Sequence, residues 1–176
     1  METISHKICS RNYVFEQIKN ETKQYDIVLF AKYNNKILWK IIFENTIIEE
    51  IKGLHKIENE LFCFINNSIH KIDIDNGSII KMEHFGNTPI REITVDKYFI
   101  YILLSYYEFD SKKYLSNILC IHNNLDIKWH AELFDKDDVY TNFSVLENNI
   151  IGYTWNGWTY IINKDTGKIT DKKWTK

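Results

Sequence analysis

Ile72-Asp73-Ile74-Asp75-Asn76-Gly77-Ser78-Ile79 comes back 90 positions later as Ile162-Asn163-Lys164-Asp165-Thr166-Gly167-Lys168-Ile169. Both octets carry Asp-x-Gly between isoleucines. Gly77 and Gly167 can take positive φ without a Cβ clash, and Asp75 and Asp165 are expected to accept a backbone hydrogen bond, so each octet turns one strand into the next. Two further pairs keep the spacing. Asn34-Asn35-Lys36-Ile37-Leu38-Trp39-Lys40 matches Asn123-Asn124-Leu125-Asp126-Ile127-Lys128-Trp129-His130, each an Asn-Asn turn followed by a strand ending in Trp and a basic or imidazole residue. Glu58-Asn59-Glu60-Leu61-Phe62-Cys63-Phe64 matches Glu147-Asn148-Asn149-Ile150-Ile151-Gly152-Tyr153. Three matches in one order imply an internal duplication with a period of about 90 residues. The halves are expected at about 26–90 and 115–176, inside one domain spanning 1–176.

Around these anchors strand-like runs follow one another: 27–31, 36–43, 61–66, 68–74, 78–83, 98–105, 115–122, 125–133, 149–154, 158–163 and 168–174. Most gaps are short enough for hairpins, which makes the sheets antiparallel. With one proline and six glycines, asparagine supplies much of the punctuation. The pairs Asn34-Asn35, Asn66-Asn67, Asn123-Asn124 and Asn148-Asn149 read as hairpin tips, because asparagine tolerates positive φ. Residues 12–23 are the one stretch expected to be helical, with Ser10 as its cap. Residues 106–114 read as a longer, protruding connection.

Composition bounds the rest. The chain has 176 residues, long enough for a substantial core, and 15% are aromatic, which together with abundant isoleucine favours strand. Net charge is −2, without the basic excess of a nucleic-acid binder. From Glu92 to Tyr140 nine acids face five lysines, an imbalance that suits a basic partner or simply a solvated set of loops. Cys9, Cys63 and Cys120 are odd in number, far apart and flanked by apolar residues, so buried reduced thiols in a cytoplasmic protein are expected. The start of the chain lacks the apolar stretch of a secretion signal, and the longest apolar run, Tyr98 to Leu104, is far too short to cross a bilayer as a helix.

No phosphate-binding glycine loop and no nucleophile elbow is present. The Asp-x-Gly turns lack the ligand spacing of a calcium loop. Cys120 and His122 share a strand face, yet a structural zinc site wants a second pair that the sequence does not offer. The expected site is therefore a binding surface with no catalytic residue, no metal and no cofactor. Its candidates are Tyr106, Tyr107, Glu108 and Asp110 in the protruding connection, Asp135, Asp137 and Asp138 in an acidic turn, and Trp155 and Trp158 around Asn156-Gly157. Aromatic residues dominate binding hot spots and exposed acids steer basic partners. The plainer reading of the two indoles is a hairpin in which they pack across strands.

The order of strand, Asn or Asp turn with Gly, strand and Trp-Lys resembles the blades of quinoprotein-like and WD40-like propellers. The resemblance implies an all-β fold of tandem antiparallel meanders in about four short blades, with a β-sandwich or barrel as the competing architecture. The WD40 Gly-His and Trp-Asp signatures are absent. The tail from Gly152 to Ile169, Gly-Tyr-Thr-Trp-Asn-Gly-Trp-Thr-Tyr-Ile-Ile-Asn-Lys-Asp-Thr-Gly-Lys-Ile, closing with Trp174-Thr175-Lys176, resembles the endings of small immunity proteins of bacterial polymorphic-toxin loci, including contact-dependent growth inhibition and related neisserial systems. That resemblance implies a cytoplasmic, non-enzymatic monomer that binds one cognate toxin domain, often a nuclease, one-to-one. It implies no direct contact with nucleic acid or membrane, and it transfers no residue roles. The alternatives are a repeat-built scaffold or sensor for a peptide or carbohydrate, and an enzyme whose histidines and carboxylates converge only in the fold.

Overall fold

The computed structural model describes residues 8–10, 13–19, 27–34, 36–43, 51–107, 116–135 and 138–175. The chain divides into two compact units, Met1–Phe85 and Gly86–Lys176. The first holds β1 (Ile8–Ser10), β2 (Tyr13–Lys19), β3 (Ile27–Tyr33) and β4 (Lys36–Phe43) in one four-stranded sheet. Its second sheet is β5 (Ile51–Ile57), β6 (Glu60–Ile65), β7 (Ser68–Asp73) and β8 (Ile79–His84). The second unit repeats the plan with β9 (Ile90–Val95), β10 (Phe99–Leu104), β11 (Ile118–His122) and β12 (Ile127–His130). Its last sheet is β13 (Tyr140–Val145), β14 (Asn149–Thr154), β15 (Trp158–Asn163) and β16 (Ile169–Trp174). All four are antiparallel meanders, the propeller-like, all-β fold that the tandem pattern implies. Among the described residues no helix is long and apolar enough to cross a membrane.

The helix expected at 12–23 is corrected by β2, whose backbone pairs Val14 with Lys32 and Ile18 with Val28 in a regular ladder with β3. Tyr13-Val14-Phe15 suits a strand, and the ladder satisfies backbone groups that an isolated short helix would leave marginal.

The duplication has a packing reason. In the first unit the Trp39 indole Nε1 donates to the Ile74 carbonyl at 2.7 Å. In the second unit Trp129 Nε1 donates to the Lys164 carbonyl at 3.1 Å. Both indoles lie on the glycine of the hairpin they reach. A Cβ on Gly77 would stand 2.6 Å from Trp39, and one on Gly167 2.8 Å from Trp129. Both glycines also have positive φ, 74° and 71°. Each Trp therefore locks the last strand of one sheet onto the third hairpin of the next, and the two hydrophobic cores grow around these locks. One gathers Leu29, Ala31, Trp39, Phe43, Leu54, Leu61, Cys63 and Ile72. The other gathers Tyr101, Leu103, Ile118, Cys120, Trp129, Tyr140, Phe143, Ile150, Tyr160 and Ile162.

The turns use a different acceptor from the expected one. Asp73 Oδ1, not Asp75, accepts the N–H groups of Asp75 at 2.8 Å and Asn76 at 3.3 Å. Asn163 Oδ1, not Asp165, accepts those of Asp165 and Thr166, each at 3.0 Å. The residue two before the turn aspartate sits at the strand end, where its short side chain closes an Asx turn. Of the asparagine pairs, Asn34 and Asn66 take positive φ, 48° and 51°, whereas Leu125 at 67° does so after Asn123-Asn124.

Candidate binding surface

Three of the expected contact residues come together in the second unit. Tyr106 and Tyr107 follow β10, their rings 4.0 Å apart between centroids. Trp155 lies 5.8 Å from Tyr106, and the Arg91 guanidinium stands 4.9 Å over the Tyr106 ring. Tyr107 is 78% exposed and Trp155 58%. A cavity of about 310 Å³ opens here, lined by Tyr106, Thr141, Thr154 and Trp155. The Tyr107 hydroxyl and Arg91 hold the Tyr106 hydroxyl below its ordinary value, and Tyr107 is displaced the opposite way by the same hydrogen bond. A group of tilted rings capped by a cation at the surface has the composition of a recognition hot spot.

The Trp155 turn is held from below. Gly157 at φ 87° lets the chain reverse, its N–H donates to Thr154 O at 3.2 Å, and Trp155 N–H donates to Val139 O at 3.0 Å. Asp138 completes the support. Its Oδ1 accepts the N–H of Val139 at 2.9 Å and of Asn156 at 3.3 Å. Asp138 is 1% exposed, which corrects its expected place on an acidic exposed surface. The turn needs a buried acceptor for its own N–H groups, and this carboxylate supplies it. Asp138 thus positions Trp155 instead of meeting a partner, while its Oδ2 has no hydrogen-bond partner among the described residues.

Trp158 goes elsewhere. It stacks on Tyr160 at 6.4 Å and 24° and meets Trp174 edge-on at 5.2 Å, half-buried against the core. The two indoles of the Trp-Asn-Gly-Trp hairpin therefore part company, one to the surface and one to the core margin. Asp135 is exposed. Glu108, Asp110 and Asp137 lie outside the described residues, as does most of the protruding connection.

Sequence reading missed two polar supports. Asn117, fully buried, donates from Nδ2 to Leu104 O at 3.2 Å and Tyr140 O at 2.7 Å, and accepts the Tyr140 N–H at 3.0 Å. It ties the end of β10, which leads into Tyr106, to the start of β13. The second is Asp96, in a cavity of about 280 Å³ shared with Lys164, Tyr98 and Asp165. Asp96 accepts from the N–H of Tyr98 and Phe99 at 2.9 and 2.8 Å, from the Tyr101 hydroxyl at 3.0 Å, and pairs with Lys164 at 3.0 Å. Burial pushes its carboxyl up, but these donors outweigh it and hold the group below the usual range. Lys164 also donates to the carbonyls of Leu146 and Glu147 at 3.2 and 3.3 Å. A carboxylate and an ammonium so fully engaged brace the unit and have little capacity left for proton transfer. A lone Asn before a strand and a lone Asp in a turn carry no spacing signal, so only the fold reveals them.

Two of the three expected thiols are packed, and the side chain of Cys9 lies outside the described residues. Cys63 and Cys120 are free and buried. Burial raises both, Cys120 to about 12, with Lys128 pulling weakly the other way. His122 is exposed, its ring edge on Phe99 at 5.3 Å. Among the described residues no group of three or more His, Cys, Asp or Glu is placed to hold a metal.

Comparisons with known proteins give the fold and a domain family. Residues 76–174 match the family described as a domain of unknown function (DUF7957). No curated protein matches the chain in sequence. Among solved structures, BamB from Moraxella catarrhalis superposes with a TM-score of 0.63 at 15% identity, over 98% of this chain and 53% of BamB. The propeller domain of Cps50 (Swd1) from Myceliophteria thermophila gives 0.59 at 10% identity, over 99% of this chain and 58% of that one. The WD40 propeller domain of Doa1 gives 0.53 at 12% identity, over 94% and 51%. The chain thus spans little more than half the length of these propellers.

Proposed function

The chain belongs to the DUF7957 family of domains of unknown function, and on that premise we propose that it is a non-catalytic immunity protein that binds and neutralises a cognate bacterial toxin domain. The observation that carries the proposal is the exposed aromatic cluster of Tyr106, Tyr107 and Trp155, set on a rigid β scaffold inside the matched region. Rigid aromatic side chains bury large area at small entropic cost, and a few such anchors dominate protein affinities. The acid excess from Glu92 to Tyr140 favours a basic toxin, such as a nuclease. Buried, protonated thiols and a fully engaged Asp96 fit a protein that holds its partner instead of transforming it.

The proposal expects an adjacent reading frame to encode the toxin domain, and calorimetric titration with that frame's product tests this. The expected result is tight one-to-one binding per chain, weakened roughly 100-fold by Trp155→Ala, about 2.7 kcal/mol, without loss of stability. Absence of binding by the natural chain, or equal binding by the variant, sinks the reading. The threonine-lined cavity beside Trp155 favours one second reading, a scaffold that takes a peptide or carbohydrate. In that case Trp155 fluorescence responds to oligosaccharides or short peptides and not to the toxin domain.

A further inference from the structure

The duplication allows one sheet edge to be compared with its twin. β8 and β16 each end a four-stranded sheet, and Ile79 matches Ile169 at the 90-residue spacing. Opposite residues of an antiparallel ladder alternate between bonded and unbonded pairs. Phe85 N–H donates to Asn67 O at 2.8 Å, so Ile69–Glu83 and Lys71–Lys81 are bonded pairs, and Met82 turns its N–H and C=O away from β7. Asp73 N–H donates to Ser78 O at 2.9 Å, which turns those of Ile79 outward too. By the same count Ile169 and Lys172 turn theirs away from β15. In β16 both outward N–H groups are filled. Glu132 Oε2 accepts that of Ile169 at 2.9 Å, and Asp171 Oδ1 accepts that of Lys172 at 2.8 Å. The matching positions of the first unit are Ile42 and Lys81, which carry no carboxylate. Among the described residues no acceptor takes the N–H of Ile79 or Met82. The side chains differ as well. Ile80 and Met82 are 51% and 54% exposed where β16 carries Thr170 and Lys172. A sheet edge left open and apolar is a template for another strand, and proteins ordinarily blunt it, as β16 does.

We propose that β8 pairs edge to edge with β8 of a second copy of the chain, antiparallel, about a two-fold axis at Met82. The charge pattern of the strand selects both the occupant and the register. Met82 is flanked by Lys81 and Glu83, of opposite charge. With Met82 opposite Met82, the two outward backbone groups exchange a pair of N–H···O bonds, and Lys81 of each copy stands opposite Glu83 of the other. Sliding the strands until Met82 faces His84 sets Glu83 against Glu83. Opposite charges across a ladder stabilise it, and like charges directly opposite destabilise it. The contact is isologous, each copy giving the same edge, so it closes at two. In place of the expected monomer it gives a reversible pair. It uses none of the residues of the aromatic cluster, and it stands or falls independently of what that cluster holds.

Sedimentation velocity of the 176-residue chain tests the proposal. A short edge pairing is a small interface, so between ~1 and ~300 µM the mass is expected to rise from one chain to two. Lys81→Glu and Glu83→Lys each set like charges opposite one another twice, and each is expected to weaken pairing by about 10-fold or more. An equimolar mixture of the two variants restores opposite charges across the axis and is expected to pair like the natural chain, as is the double variant; neither rescue is open to a variant that has failed to fold. Met82→Pro removes an N–H that points away from β7, so it is expected to abolish pairing and leave the β-sheet circular dichroism unchanged. A single-chain mass for the natural protein at the highest concentration, species larger than two chains, charge-reversed variants that pair as well as the natural chain, or a mixture that fails to pair would each overturn the proposal.

Discussion

His70 shows how one residue ties the core to solution pH. It is 8% exposed, its Nε2 is 3.0 Å from Ser68 Oγ, and its ring meets Phe43 edge-on at 4.9 Å. Burial, with the nearby charge of His84 acting the same way, lowers its pKa to about 4 from an ordinary 6.5. The folded protein therefore holds His70 neutral where the unfolded chain would protonate it. Stability from this residue is complete above pH 6.5 and is lost as the pH falls towards 4, because there the unfolded state binds the extra proton. The loss is on the order of 2 kcal/mol. His55 and His130, both lowered by burial, act in the same direction. Urea midpoints between pH 4.5 and 7.5 should fall more steeply for the natural protein than for His70→Gln; parallel curves would contradict the assignment. At the same scale Asp138 illustrates what sequence leaves hidden. An acid in a run of acids reads as solvent-facing, but the turn that presents Trp155 needs acceptors for its N–H groups, and the nearest carboxylate turned inward to provide them.

The Trp–Gly lock belongs to the scale of elements. Trp39 with Gly77, and Trp129 with Gly167, are the same contact used twice at the same spacing. Gly167→Ala should cost about 2 kcal/mol or more, since the added methyl meets the indole and φ is unfavourable for alanine. Gly77→Ala should cost the same. Gly53→Ala is the control: its Cβ would meet nothing closer than 3.4 Å, and a change within ~0.5 kcal/mol is expected. Equal losses at Gly53 and Gly167 in urea unfolding would refute the lock. The duplication itself was legible because Asn-Asn, Trp-basic and Asp-x-Gly are sparse, specific marks. Less legible were β1, β5, β9 and β13, the first strand of each sheet. Ile90-Arg91-Glu92-Ile93-Thr94-Val95 and Tyr140-Thr141-Asn142-Phe143-Ser144-Val145 interleave polar residues, so no apolar run announces them; they become strands because the second strand of each sheet offers its ladder. Residues 12–23 suggest a helix, not β2, for the same reason, the ladder partner lying beyond the reach of local pattern.

At the scale of the whole molecule, sequence grammar points to tandem meanders, and the sixteen strands in four sheets among the described residues carry that grammar through. The aromatic cluster was only partly legible. Tyr106 and Tyr107 stand far from Trp155 in sequence and meet it because β10 and the β14–β15 turn end near one another, while Trp158, three residues after Trp155 in the same hairpin, is drawn to Tyr160 and Trp174 by its strand's alternation. The claim that this cluster holds a toxin domain is most directly tested by growth of cells that express the toxin domain the proposal expects from the adjacent reading frame. Co-expression of the natural chain should restore growth, and a Tyr107→Ala, Trp155→Ala double variant of equal abundance should not. Failure of the natural chain to rescue, or equal rescue by the variant, would contradict the account.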